Sequence, residues 1–211
     1  ANDKYVGIGK IVLLVSSYGG VDLGNYTVTD QAMTTASIGK KALAISGITA
    51  ADKTYDGNNV AAVNTAAVIK SGLVSGDDLG ISATGTFDDK NVANGKTVTL
   101  TSSHSGGDVG NYTITDQATT TASVTPKELT LASVSAANKT YDGLTNAVLT
   151  LGNLVGLVGS ESLGHSGKGD FVDANVGIDK TVLVQLALAD GTNGLARNYS
   201  IEIGRASCRE R

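Results

Sequence analysis

The amino-acid sequence predicts an all-β chain of tandem small domains arranged as beads on a string, each a β-sandwich of Ig-like type or a β-grasp-like sheet. Three observations carry this expectation. Blocks recur at a long fixed period: Lys53-Thr54-Tyr55-Asp56-Gly57 returns as Lys139-Thr140-Tyr141-Asp142-Gly143, 86 positions on. Gly24-Asn25-Tyr26-Thr27-Val28 likewise returns as Gly110-Asn111-Tyr112-Thr113-Ile114, and Asn198-Tyr199-Ser200-Ile201 is a third, weaker copy. Such a period exceeds that of solenoid or propeller repeats and matches a small self-contained domain. Usage is the second observation: Thr, Val, Ala, Ser, Asn and Gly dominate, with 27 Gly, one Pro and no Trp, as expected for short strands joined by Gly/Asn/Asp turns. Third, the apolar residues alternate with period two, placing every second side chain on one face of a strand.

Matching landmarks set the domain boundaries. Residues 1–40 are the C-terminal part of a first repeat, because Asp3-Lys4, Val6 and Gly9-Lys10 match Asp89-Lys90, Val92 and Gly95-Lys96. Residues 41–126 form a complete second repeat. Residues 127–203 form a third that stops before its own closing strand. Residues 204–211 break the pattern and read as a non-native tail, similar to the translation of a sequencing adapter, so the chain is expected to be a fragment. Removing the tail takes away the single cysteine and moves the formal net charge from −4 to −6, since it holds three Arg and one Glu.

About seven strands are expected per repeat. In the second repeat Leu43 and Ile45 point inward on the opening strand, matched by Leu129 and Leu131. Tyr55-Asp56-Gly57 forms a turn, since Asp-Gly suits the positive φ of a tight reversal and the Asp carboxylate caps the backbone locally. The segment 60–73 fits either a strand or one short helix. Val98 and Leu100 point inward, matched by Val12 and Leu14 and by Val182 and Val184. His104-Ser105-Gly106-Gly107 reads as a hairpin tip leading into a strand with Tyr112 and Ile114 inward. Ser17-Tyr18-Gly19-Gly20 reads the same way before Tyr26 and Val28. Ala122 and Val124 belong to the closing strand.

Composition and motif content narrow the function. The acidic balance argues against nucleic acid, which selects a basic face. The sequence has no run of about 18 apolar residues, so no membrane span is expected, and no signal peptide is visible. His104 and His165 occupy non-equivalent places, and no Ser/His/Asp set or phosphate loop accompanies them. An enzyme is therefore not expected, and zinc lacks ligands. Calcium is the one cofactor with any candidate ligands, Asp77, Asp78, Asp88 and Asp89, since hard cations prefer clustered carboxylates. The third repeat offers only Ser160-Glu161 and Val172-Asp173 there, so the expectation is no cofactor. A Lys–Asn111 isopeptide lacks an identified carboxylate. The motif residues Lys53, Tyr55, Asp56, Gly57, Lys139, Tyr141, Asp142, Gly143, Asn111 and Tyr112 are read as structural.

Taken together, three ordered blocks resemble the YDG-type repeat of very large bacterial surface proteins. These are Lys53–Gly57, Asp89–Val98 and Gly110–Ile114, with third-repeat copies at Lys139–Gly143, Asp173–Val182 and Asn198–Ile201. The resemblance implies haemagglutinin-like adhesins exported to the cell surface, with the repeats acting as a stalk. The expected function is thus a structural spacer that extends a distal binding region for attachment, aggregation or biofilm formation. The expected partners are neighbouring repeats of the same chain. The alternative is repeats that themselves bind host or matrix glycans, which would call for exposed aromatic residues.

Overall fold

The computed structural model describes residues 3–201 and 205–207. The regular structure is all-β. Among the described residues helix is confined to three single 3-10 turns, Leu23–Asn25, Val109–Asn111 and Ala196–Asn198, each leading into the tyrosine of an Asn-Tyr block. No helix among the described residues is long and apolar enough to cross a membrane.

Two compact units form, and they are out of phase with the sequence period. One gathers Ala1–Thr49, Val63–Thr84 and Leu100–Thr120; the other gathers Ala50–Ala62, Gly85–Thr99 and Thr121–Arg211. Each unit therefore combines residues of two successive repeats.

In the first unit, Lys41–Ser46 is the middle strand of three. It pairs antiparallel with Ile69–Ser71 and parallel with Tyr112–Thr115, Tyr112 lying opposite Lys41. Leu43, Ile45, Ile48, Leu79, Leu100 and Tyr112 are buried in this unit, as the alternation requires for Leu43, Ile45, Leu100 and Tyr112. Gly7–Leu13 and Met33–Ile38 form a separate antiparallel ribbon. Here the expected inward pattern fails: Leu14, Tyr26 and Val28 are exposed. In the second repeat the corresponding Tyr112–Thr115 pairs with Lys41–Ser46, and among the described residues Tyr26 and Val28 lie in no strand.

In the second unit the same three-stranded arrangement returns, with Lys127–Leu131 antiparallel to Leu154–Val155 and parallel to Tyr199–Ile201. A five-stranded sheet runs in the order Lys53–Thr54, Thr119–Thr125, Ala93–Ser105, Gly80–Phe87, Val60–Ala61. In this unit it buries Tyr55, Ala61, Phe87, Val98, Ala122 and Val124. A second sheet is built on Leu163–Phe171 and Thr181–Asp190, antiparallel from Leu163 opposite Asp190 to Phe171 opposite Val182. Val182 and Val184 centre its core, with Val134, Leu149 and Phe171 packed against them.

One open alternative is resolved and two expectations are corrected. The 60–73 segment is not helical. It holds short strands at Val60–Ala61, Val63–Asn64 and Ile69–Ser71, separated by a turn in which the Asn64 side chain accepts from the Ala66 N–H. Such local side-chain bonds compete with a helix. The 104–107 segment is not a hairpin tip, because Tyr112–Thr115 does not return along Ala93–Ser105 but pairs with Lys41–Ser46. The second repeat contains ten strands rather than about seven, several only two residues long.

Arg205–Ser207, assigned on sequence to the non-native tail, pairs antiparallel with Thr181–Leu183. It lies beside Thr181–Asp190 as Thr119–Thr125 lies beside Ala93–Ser105. Gly204 and residues 208–211 lie outside the described residues.

Candidate functional site: the junction built by the repeated blocks

Each block first builds its own loop. In the Lys-Thr-Tyr-Asp-Gly turn, Lys53 Nζ donates to Asp56 Oδ1 at 2.8 Å and to the carbonyls of Asn58 and Val60. Asp56 also accepts from the Asn58 N–H, and Gly57 takes φ +82°, which a side chain would resist. The copy repeats this: Lys139 Nζ donates to Asp142 Oδ1 at 2.8 Å and to the Leu144 carbonyl, and Gly143 takes φ +78°. The middle block closes in the same way. Asp89 accepts from the Asn91 N–H and from Lys96 Nζ, which also meets Asp88. Lys180 and Lys10 bind Asp173 and Asp3 in the same fashion.

The blocks then converge on the following repeat. In the second unit, Tyr55 and Lys90 of the second repeat both donate to Glu161 Oε1 of the third, each at 2.7 Å. Tyr199 donates to Glu161 Oε2 at 2.6 Å, and its own oxygen accepts from the Val158 N–H at 3.0 Å. The Tyr55 and Tyr199 rings meet edge to face, 5.4 Å between centroids. Beside them the Val92 N–H donates to Asn198 Oδ1 at 2.9 Å, and Asn198 Nδ2 donates to Asn91 Oδ1 at 2.9 Å. Asn198 is 1% exposed.

The first unit holds the equivalent contacts between the first and second repeats. Lys4 Nζ lies 2.6 Å from Asp77 Oδ1 and 3.1 Å from Asp108 Oδ1. Tyr112 donates to Asp77 Oδ2 at 2.6 Å, and the Val74 N–H donates to the Tyr112 oxygen at 3.0 Å. The Val6 N–H donates to Asn111 Oδ1 at 3.0 Å. A construction that occurs twice, with Asp in one copy and Glu in the other, is a property of the repeat.

The electrostatics follow from this packing. Burial raises the Glu161 carboxyl, but the bonds from Lys90, Tyr199 and Tyr55 outweigh it and hold the group below its ordinary 4.5. Glu161 in turn lifts the Lys90 ammonium above its ordinary value. Burial first, and Glu161 second, push Tyr199 up to about 12 from 10.0. A tyrosine raised in the folded state contributes stability below its ordinary value that is lost as pH climbs to the folded one. The raised Lys90 works in the same direction. The second unit is therefore expected to weaken between about pH 10 and 12. Tyr199→Phe, which keeps the ring and removes the titrating hydroxyl, should flatten that decline in a series of thermal melts. An unchanged slope would remove Tyr199 as its source.

The remaining candidate residues are accounted for by protein partners. Asp77 and Asp78 belong to the first unit, Asp88 and Asp89 to the second. Asp77 is held by Lys4 and Tyr112, Asp88 and Asp89 by Lys96, and Asp78 accepts from the Gly107 N–H. No three His, Cys, Asp or Glu among the described residues are grouped to hold a metal ion. Asn111 bonds Val6 and Asp108. His104 faces Asp116, and His165 meets the Gly152 carbonyl. Lys4, Lys90 and Glu161 were not singled out by sequence reasoning. The signal lay in the carboxylate kept near the same place as Asp77 while its neighbours changed.

A cluster of this kind defines a class, tandem all-β repeats whose most recurrent side chains grip the adjoining repeat. The chain belongs to the YDG domain family: the family model matches twice, over residues 39–122 and 125–207. Neither a curated protein nor a solved structure matches the chain.

Proposed function

We propose that these YDG repeats are structural spacers of a secreted bacterial surface adhesin, extending a distal binding region away from the cell for attachment, aggregation or biofilm formation. The observation that supports this reading is the use made of the recurrent residues. Tyr55 and Lys90 bond Glu161, Asn198 bonds Asn91, and Tyr199 packs its ring on Tyr55, all across successive repeats. Side chains committed to neighbour contacts make a continuous array. The three tyrosines of these clusters, Tyr55, Tyr112 and Tyr199, are at most 5% exposed, so they offer no stacking platform for a sugar.

The test is replacement in the surface protein that carries the repeats. Deleting them should reduce attachment, and an unrelated β-sandwich array of matching length should restore it. Failure of the unrelated spacer, with restoration by YDG repeats alone, would assign ligand binding to the repeats.

A further inference from the structure

We propose that the face of the third repeat formed by Tyr141, Gly143 and Val176 docks a further YDG repeat, which presents an acidic side chain and its Asn-Tyr pair. The inference rests on the junction described above and not on the adhesin role.

At Tyr55, Gly57 and Val92 the second repeat is already covered, and by such a repeat, while Asn58 and Asn94, at the places of Leu144 and Ile178, stay exposed. Tyr55 is 1% exposed beneath Glu161 and Tyr199, whereas Tyr141, at the same place in the motif, is 65% exposed. Val92 gives its N–H to Asn198, while its counterpart Val176 is 87% exposed. A Cβ on Gly57 would meet Val158 Cγ1 of the following repeat at 2.7 Å, yet one on Gly143 would meet nothing within 4 Å among the described residues. The third-repeat face is nonetheless built: Lys139 holds its turn as Lys53 does, and the Asp173–Lys180 loop is tied by Lys180. Between turn and loop lies a cleft of about 410 Å³, with Phe171 in its wall. Leu144 and Ile178 lie at the edge of this cleft, outside the part of the face that is covered in the second repeat.

Three positions differ, and at two of them Leu144 and Ile178 stand where the second repeat has Asn58 and Asn94. Lys90, which grips the carboxylate of the following repeat, is replaced by Ala174. Docking here therefore relies on the Tyr141 hydroxyl and the Val176 N–H, and Ala174→Lys should strengthen it.

The experiment extends the full chain by joining a second copy of residues 122–207 after Ser207, which keeps the repeat in phase. Hydrogen exchange at the Val176 amide is then compared with the unextended chain. Protection of at least about tenfold is expected, as for an amide that gains a buried acceptor, with a further gain in Ala174→Lys. Asn198→Leu in the added copy alone should abolish it. Unchanged Val176 exchange overturns the proposal. So does an added copy that stays unfolded in both the parent and Ala174→Lys extended chains, because the same segment folds against the second repeat. An unprotected Val92 amide in the unextended chain would instead mean that the junction itself is wrong.

Discussion

Tyr55→Ala is expected to destabilise the second compact unit by about 3–5 kcal/mol, while Tyr141→Ala changes stability by no more than about 0.5 kcal/mol. The two residues sit in two copies of the Lys-Thr-Tyr-Asp-Gly pentapeptide, one closed by Lys53 and Asp56 and the other by Lys139 and Asp142. Their environments are opposite. Tyr55 is 1% exposed, stacks edge to face on Tyr199 and donates to Glu161, whereas Tyr141 is 65% exposed. Truncating the first empties a packed site and leaves a carboxylate short of a donor; truncating the second removes a ring that water already surrounds. Urea titration of the two variants reads this directly. Equal losses would show that the tyrosine stabilises its own turn rather than the following repeat.

Much of the fold is legible in the sequence because strand alternation is local. Leu43, Ile45, Val98, Leu100, Ala122, Val124, Val182 and Val184 all point inward as their alternation demands. Pairing is not local, and there the reading fails. Tyr112–Thr115 follows Ala93–Ser105 in sequence, so a hairpin is the short-range inference, yet its partner is Lys41–Ser46, about 70 residues earlier and parallel. Such pairings carry no turn signature. Repetition hides a second layer. When every repeat carries the same tyrosine, the sequence does not distinguish a contact made inside a repeat from one made to the next. Tyr55 therefore reads as part of a turn, and its bond to Glu161, 106 residues away, is invisible. The candidate calcium ligands show the same limit, since clustered aspartates look alike whether they await a cation or already face Lys4 and Lys96.

Glu161→Ala is the second large effect, with an expected loss of about 3 kcal/mol in the second unit. The Glu161 side chain is 8% exposed and receives three donors, Tyr55, Lys90 and Tyr199. Removing it leaves two inward-facing hydroxyls and an ammonium without their acceptor, and unmet buried groups cost more than the bond itself contributes. Glu161→Gln keeps the shape and one acceptor oxygen, so it should lose less than Glu161→Ala but more than a surface change. Protonation imitates that substitution. A carboxyl held low in the folded state contributes stability above its ordinary 4.5 that is lost as pH falls through the folded value. The parent chain should therefore weaken below about pH 4.5, and Glu161→Gln should show a shallower acid decline of the same unit. Urea titrations at pH 7 and pH 3 measure both effects. If Glu161→Gln loses nothing at pH 7 and keeps the full acid decline, the carboxylate does not hold the two repeats together.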